Sequence, residues 1–315
     1  MRTIVSLFGF DPEQERRIRE AAPGCNVIFG RPGELDASLL EEAEVLCGWW
    51  KAAWKDNAGA QLKWVQTGSA GVDNLPLRDL ESRGIVLTTA SGVHPVPMTE
   101  TVFAMLLAFT RNLHHAVRNQ QNARWERATD YRELRGRMLT IVGAGEIGTE
   151  VARIAQAFGM RTAGVRRSGR PAPHVDAMYP ADRLDEALAE SDIVVNVLPH
   201  TPETVGLFDA GRFAAMRPSA IFINIGRGTA VDTDALTDAL RNGVIAGAGL
   251  DVCEPEPLPS DHPLWQMDNV MITPHIGGAT DRYKARMTDL FVENLQAYLS
   301  TGKPARNIVD YEKSY

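Results

Sequence analysis

The sequence predicts an α/β protein of two domains, each built on a parallel sheet. From Met138 onward, short apolar strands and amphipathic helices alternate without a break, as in a parallel sheet covered on both faces. The N-terminal part carries a looser version of the same alternation. A length of 315 residues also suits two ordinary domains better than one large one.

In chain order, Thr3–Phe8 is the first strand, Pro12–Ala22 a helix opened by proline in its first turn, and Val27–Phe29 the second strand. Val45–Trp49, Leu62–Gln66 and Ile85–Leu87 follow as short strands between turns rich in Gly and Asp. Thr99–Arg118 reads as one long helix. Its first half is apolar almost all round and therefore buried, where domains or subunits meet. Asn119–Arg135 is polar and weakly patterned, a connection carrying Trp125. Then come strand 137–143, helix 149–159, strand 160–165, a polar loop, helix 184–191, strand 192–199, helix 210–216, strand 219–225, helix 233–243, and strands 244–252 and 269–274. The last helix, Ala279–Thr301, is long enough to leave the second sheet and pack back on the first.

Bulk properties remove several function classes. Charged residues at 23% and hydrophobic ones at 44% are ordinary for a globular protein and exclude extended disorder. A net charge of -7 disfavours nucleic acid and anionic membrane as partners. No apolar run is long enough to span a membrane, and the N-terminus reads as a strand rather than a signal peptide. Cys25, Cys47 and Cys253 have no metal-like spacing and cannot all pair, which suits a reducing, cytoplasmic setting. There is no H-E-x-x-H and no cysteine pair, so no metal is expected.

Gly143-Ala144-Gly145-Glu146-Ile147-Gly148 is a G-x-G-x-x-G run. The pattern is weak alone, but here a strand stops just before it and a helix starts inside it. Gly143 allows the tight turn, Gly145 the approach of a pyrophosphate and Gly148 close helix–strand contact, and the helix N-terminus offers N–H groups to phosphates. A structural glycine turn and another nucleoside cofactor such as S-adenosylmethionine are the alternatives. An NAD-selective site places an acid about 20 residues on. Here the strand instead ends in Arg166-Arg167-Ser168, with Arg170 behind. Forked arginine donors and a serine hydroxyl suit a 2′-phosphate, so NADP(H) is preferred, with NAD(H) possible. The competing reading is a pair of solvated loop arginines.

Three further strand ends carry candidate chemistry. Arg227 stands between Gly226 and Gly228, held on a tight turn where it can clamp a carboxylate and polarise a keto oxygen. Asp251-Val252-Cys253-Glu254-Pro255-Glu256-Pro257 is an acidic loop whose path two prolines fix. His275 follows a strand and precedes Gly277 and Gly278. Imidazole titrates near neutrality and suits proton donation to a keto oxygen, with a carboxylate beside it to stabilise imidazolium.

These segments resemble the D-isomer-specific 2-hydroxyacid dehydrogenases. The likeness runs in order through TGSAGVD at 67–73, TETVFAMLLAFTRN, LTIVGAGEIG, VNVLPHTPETVGLF, INIGRG, GLDVCEPEPLP, HPLW and TPHIGG. It implies two Rossmann-like doubly wound domains: a dinucleotide domain at 98–276, inserted into a discontinuous substrate domain of 1–97 and 277–315. It also implies a homodimer, and a catalytic set of Arg227, Glu256 and His275, with Glu254 only a neighbour. By the same likeness, Ser69, Ala70 and Gly71 hold the substrate carboxylate through backbone N–H groups, together with Arg227, and His275 meets the substrate at its keto oxygen. Asp251, His275, Gly277 and Gly278 border the nicotinamide, Leu198, Pro199 and His200 lie beside the adenosine, and Ile225 and Gly226 also touch the cofactor.

The function implied is NADPH-dependent reduction of a small 2-oxo acid, such as glyoxylate or hydroxypyruvate, to the D-2-hydroxy acid, a bulkier acid remaining open. The alternatives are NAD-dependent phosphoglycerate dehydrogenase-like oxidation and a catalytically inactive dinucleotide-sensing interaction module. Trp49, Trp50 and Trp54 are divided between a pocket wall and ordinary packing.

Overall fold

A computed structural model describes residues 1–54 and 59–313. The chain forms two compact units, one of Met1–His94 with Thr280–Tyr315, the other of Pro95–Ala279. The breaks fall at 94/95 and 279/280 rather than at 97/98 and 276/277. Pro95 already belongs to the helix that follows it, and proline is well placed in a first helical turn, where its missing N–H has no intrahelical partner.

The first unit holds strands β1 (Thr3–Ser6), β2 (Asn26–Phe29), β3 (Val45–Cys47), β4 (Trp64–Gln66) and β5 (Val86–Thr88), all parallel, in the order β2-β1-β3-β4-β5. Helices α1 (Pro12–Ala21), α2 (Leu39–Glu42) and α3 (Leu77–Ser82) connect them. At the start of α1, Asp11 accepts from the Gln14 N–H at 2.9 Å and the Gln14 side chain accepts from the Asp11 N–H at 3.0 Å, a reciprocal cap. β3 stops two residues short of the expected Trp49, because Gly48 turns the chain at φ +114°.

The second unit opens with α4 (Pro95–Thr110) and α5 (Leu113–Gln121). The single helix expected over Thr99–Arg118 is thus two, separated at Asn112, which adopts φ +55°. Strands β6 (Met138–Val142), β7 (Arg161–Val165), β8 (Ala177–Tyr179), β9 (Ile193–Asn196), β10 (Ile221–Asn224), β11 (Gly247–Leu250) and β12 (Val270–Ile272) are interleaved with α6 (Glu146–Ala157), α7 (Leu184–Ala189), α8 (Ala210–Ala215) and α9 (Thr233–Arg241). All seven strands are parallel, in the order β12-β11-β10-β9-β6-β7-β8. β9, β10 and β11 are buried at every residue, as sheets covered on both faces require. The buried half of α4 lies on this sheet: a Cβ at Gly249 of β11 would come within 2.8 Å of Met105 Sδ. Strand order reverses between β6 and β9, and open α/β sheets bind ligands at such a point, beyond the strands' carboxyl ends.

The last helix, α10 (Tyr283–Thr301), belongs to the first unit and starts four residues later than expected. Phe291 and Tyr298 place their rings 5.5 and 5.2 Å from Trp64 of β4, and all three are buried. Among the described residues no helix is long and apolar enough to cross a membrane.

Candidate active site

The glycine run sits at the strand-order reversal of the second unit. Gly143, directly after β6, takes φ +106°, and a Cβ there would meet the Val197 carbonyl carbon just beyond β9 at 3.0 Å. Gly148 packs against the strand, since its Cβ would lie 2.6 Å from the Gly143 carbonyl oxygen. Gly145 is the exception. It is exposed, a Cβ there would meet nothing within 4 Å, and it caps α6 without a side chain. The α6 N-terminus, at Glu146 and Ile147, therefore fronts open space with the first-turn N–H groups of a twelve-residue helix. That is room and polarity for a pyrophosphate, so these residues fit a dinucleotide.

At the end of β7, Arg166 is half-buried. Its Nη2 donates to the Pro171 carbonyl at 2.6 Å, while its Nε is buried and makes no hydrogen bond among the described residues. Arg167 and Ser168 are exposed beside it. An orphaned buried donor next to an exposed guanidinium and a serine hydroxyl fits an added anion. Beyond β9, Leu198 and Pro199 are half-buried, and His200 pairs through Nδ1 with the Thr229 hydroxyl at 2.8 Å. Gly226 lies against this wall, where a Cβ would be 2.7 Å from the Leu198 carbonyl oxygen. The Ile225 side chain is core, 2% exposed, which leaves its backbone at the strand tip.

The proposed acid is built by two loops. His275 adopts φ +53°, and its Nδ1 lies 2.9 Å from Glu256 Oε2. An ionised carboxylate only accepts, so Nδ1 carries the proton and donates, leaving Nε2 for other work. The other Glu256 oxygen accepts from the Cys253 N–H at 3.0 Å, which ties the acid back to its own loop. Glu254, by contrast, contributes its carbonyl to the Thr233 hydroxyl at 2.6 Å.

Asp251 is 2% exposed and organises the histidine turn. Its Oδ1 accepts from the Thr273 hydroxyl at 2.6 Å and the Ile276 N–H at 3.0 Å, and its Oδ2 accepts from the Gly277 N–H at 2.9 Å. A Cβ at Gly277 would stand 2.7 Å from Oδ2, so that close approach demands glycine, with Gly278 continuing the turn.

Arg227 follows β10 with an extended backbone, and its Nη1 donates to the Gly226 carbonyl at 3.0 Å. A Cβ at Gly228 would fall inside the Cys253 carbonyl, so glycine lets the arginine turn touch the Glu256 loop. Arg227, Glu256 and His275 thus leave neighbouring parts of the sheet edge formed by β10, β11 and β12.

The sequence reading missed two buried amides that brace this edge. Asn196 Nδ2 donates to Asn224 Oδ1 at 2.9 Å, and Asn224 Nδ2 donates to the Arg227 carbonyl at 3.1 Å. Asparagine ending two otherwise apolar strands was the available signal. Burial, then the charges of Glu256 and Asp251, push the Cys253 thiol up to about 11, which disfavours its thiolate form. Among the described residues no cluster of His, Cys, Asp or Glu could hold a metal ion.

In the first unit, the segment after β4 forms a loop at Ser69–Gly71. The Ser69 hydroxyl donates to the Gly71 carbonyl at 2.6 Å, and the Ser69 carbonyl accepts from the Ala90 N–H at 2.9 Å. The N–H groups of Ala70 and Gly71 donate to no other group among the described residues. Trp49 and Trp54 pack with ring centroids 4.8 Å apart, Trp54 Nε1 donates to Asp79 at 2.9 Å, and Trp50 is buried. Trp125, in the second unit, is 95% exposed.

Residues 103–277 match the profile of the D-isomer specific 2-hydroxyacid dehydrogenase, NAD binding domain. The chain is 39% identical over 259 residues to a human glyoxylate reductase/hydroxypyruvate reductase, covering 79% of this chain and 77% of the relative. Among solved structures, a D-isomer specific 2-hydroxyacid dehydrogenase from Xanthobacter autotrophicus Py2, in complex with NADPH and MES, superimposes with TM-score 0.83 at 31% identity, covering 100% of this chain and 99% of that one. A phosphoglycerate dehydrogenase from Lactobacillus plantarum is 38% identical but superimposes with TM-score 0.59, covering 98% and 100%. The match over residues 103–277, joined to the relatives along most of the chain, establishes that this protein belongs to the D-isomer specific 2-hydroxyacid dehydrogenase family.

Proposed function

We propose that the protein reduces a small 2-oxo acid, glyoxylate or hydroxypyruvate, to the D-2-hydroxy acid with NADPH. The observation that carries this reading is the 2.9 Å hydrogen bond between His275 Nδ1 and Glu256, which orients an imidazole with Nε2 free to act as an acid. The relative that reduces glyoxylate and hydroxypyruvate and the NADPH-bound neighbour support the choice of substrate and cofactor.

The α6 N-terminus, with Gly145, Glu146 and Ile147, receives the pyrophosphate, and Arg166, Arg167 and Ser168 receive the 2′-phosphate. Leu198, Pro199 and His200 line the adenosine side, while the Ile225 and Gly226 backbone, Asp251, Gly277 and Gly278 border the nicotinamide side. When bound, NADPH supplies the hydride that carbon 2 of the acid accepts. Ala70 and Gly71 offer N–H groups, and Ser69 its loop, to the carboxylate. Arg227 holds the carboxylate and the keto oxygen, whose developing charge its guanidinium stabilises. His275 delivers the proton to that oxygen from Nε2 while Glu256 retains the Nδ1 proton, so the transfer leaves a neutral imidazole beside the product hydroxyl. The first unit is the substrate domain and the inserted unit the dinucleotide domain.

We further infer a cytoplasmic homodimer. Leu113 and Val117 of α5, together with Trp125 and Tyr131, each leave more than half their surface exposed, and a second copy of this chain would cover them. Light scattering is expected to give twice the chain mass.

Steady-state assays with NADPH and NADH across glyoxylate, hydroxypyruvate, pyruvate and 3-phosphohydroxypyruvate test the function. Turnover of the unphosphorylated acids with NADPH is expected, and silence across the set would refute it. A strong preference for the phosphorylated acid would instead favour the phosphoglycerate dehydrogenase-like reading that the 38% identity raises. In the same assay Arg166→Asp is expected to raise KM for NADPH by about tenfold or more and to leave NADH little changed, since a charge-assisted contact to phosphate is lost. Equal weakening of both coenzymes would contradict the 2′-phosphate assignment.

A further inference from the structure

We propose that Tyr283 is a positioning residue, its phenol setting the Ser69–Gly71 loop for a substrate carboxylate. The proposal rests on the function proposed above and adds a residue that none of its steps uses. Tyr283 Oη donates to the Gly68 carbonyl at 2.7 Å, one residue ahead of the loop. The approach is tight. A Cβ at Gly68 would lie 2.5 Å from that Oη and 2.5 Å from Phe8 Cζ, so Gly68 is pressed beneath two rings and only glycine fits.

The loop's other restraints are internal or come from the chain after β5. The Ser69 N–H donates to Thr67 Oγ1 at 3.2 Å, and Thr67 Oγ1 and Ser69 Oγ lie 3.0 Å apart. The Ser69 hydroxyl holds Gly71, and the Ala90 N–H holds the Ser69 carbonyl. At the loop's entry the Thr67 N–H donates to the Thr88 carbonyl of β5 at 2.8 Å and Gln66 Nε2 to the Thr67 carbonyl at 3.0 Å, and the phenol adds the restraint on the next peptide, at Gly68. Its hydrogen bond aims the Gly68 carbonyl toward the helix, two and three residues ahead of the Ala70 and Gly71 N–H groups assigned to the carboxylate. Donors set before binding raise affinity by lowering the ordering cost.

The phenol is itself well anchored. Its ring stacks on His94 at 5.8 Å and 25°, and meets Phe8 at 6.2 Å. Tyr283 is the first residue of α10, and that helix grips β4 through Phe291 and Tyr298 on Trp64, the strand that leads into the loop. Burial, then the neighbouring Cys47, pushes the phenol up to about 12, so it remains a donor throughout the neutral range.

Tyr283→Phe removes the hydroxyl and keeps the ring. The expected result is a rise of about fivefold to tenfold in KM for hydroxypyruvate, the loss of one well-made hydrogen bond, with kcat and KM for NADPH changed by less than about twofold. Inhibition by oxamate, which carries the same carboxylate, should weaken by the same factor. An unchanged KM in an enzyme that otherwise turns over overturns the proposal and leaves the function intact. So does a lowered melting temperature with a reduced kcat and an unchanged KM, the mark of a merely structural phenol. Failure of the unaltered enzyme to reduce any acid of the panel refutes the underlying function and this role with it.

Discussion

His275→Asn is expected to lower kcat for 2-oxo acid reduction by about a thousandfold, the usual worth of a positioned general acid. Asparagine is the informative replacement because residue 275 sits at φ +53°, a region asparagine adopts more readily than alanine. The turn is held by its backbone: the 275 N–H donates to the Asp251 carbonyl at 2.9 Å, and the Ile276 and Gly277 N–H groups donate to the Asp251 carboxylate. These bonds survive the substitution, so KM for NADPH and the melting temperature should hold while turnover collapses. Near-normal kcat would remove His275 from the chemistry.

Arg227→Gln is expected to lower kcat/KM by about a thousandfold, with both terms affected. Loss of a fixed donor at a developing oxyanion costs about 10²–10³ in kcat, and loss of the cation weakens ground-state hold on the carboxylate, which appears in KM. Arg227→Lys should recover little, since an ammonium cannot make the forked contact of a guanidinium. The measurement is steady-state kinetics with hydroxypyruvate, with NADPH affinity measured separately by fluorescence. A variant that loses NADPH affinity and keeps kcat would place Arg227 in cofactor binding alone.

Much of the site was legible because functional side chains at strand ends come with glycines that the packing needs. Gly226 and Gly228 around Arg227 each face backbone that a Cβ would strike, and Gly277 after His275 faces the Asp251 carboxylate. The acidic loop announced itself by its prolines, and the choice of Glu256 over Glu254 came from the family likeness rather than from spacing. The structure adds the reason the two differ: Glu256 reaches both the imidazole and the Cys253 N–H, while Glu254 shows its carbonyl to Thr233.

Other features depended on contacts far apart in sequence. Asp251 read as a group beside the nicotinamide, yet its carboxylate braces a turn more than twenty residues away. The Asn196–Asn224 pair joins two strands, and the asparagine ending each apolar strand marks the residues but not their pairing. β8 is three half-buried residues on the sheet's edge and lay hidden within a stretch read as polar loop. The break at Asn112 was invisible because hydrophobic periodicity reports which faces are buried, not where one residue leaves the right-handed region.

Hydride is expected to reach carbon 2 of the 2-oxo acid as His275 protonates its oxygen. The decisive measurement is reduction of hydroxypyruvate with NADPH carrying two deuterium atoms at the nicotinamide C4, followed by chiral separation and mass analysis of the glycerate. The expected product is D-glycerate carrying one deuterium at C2. L-glycerate, or glycerate without the label, would contradict it.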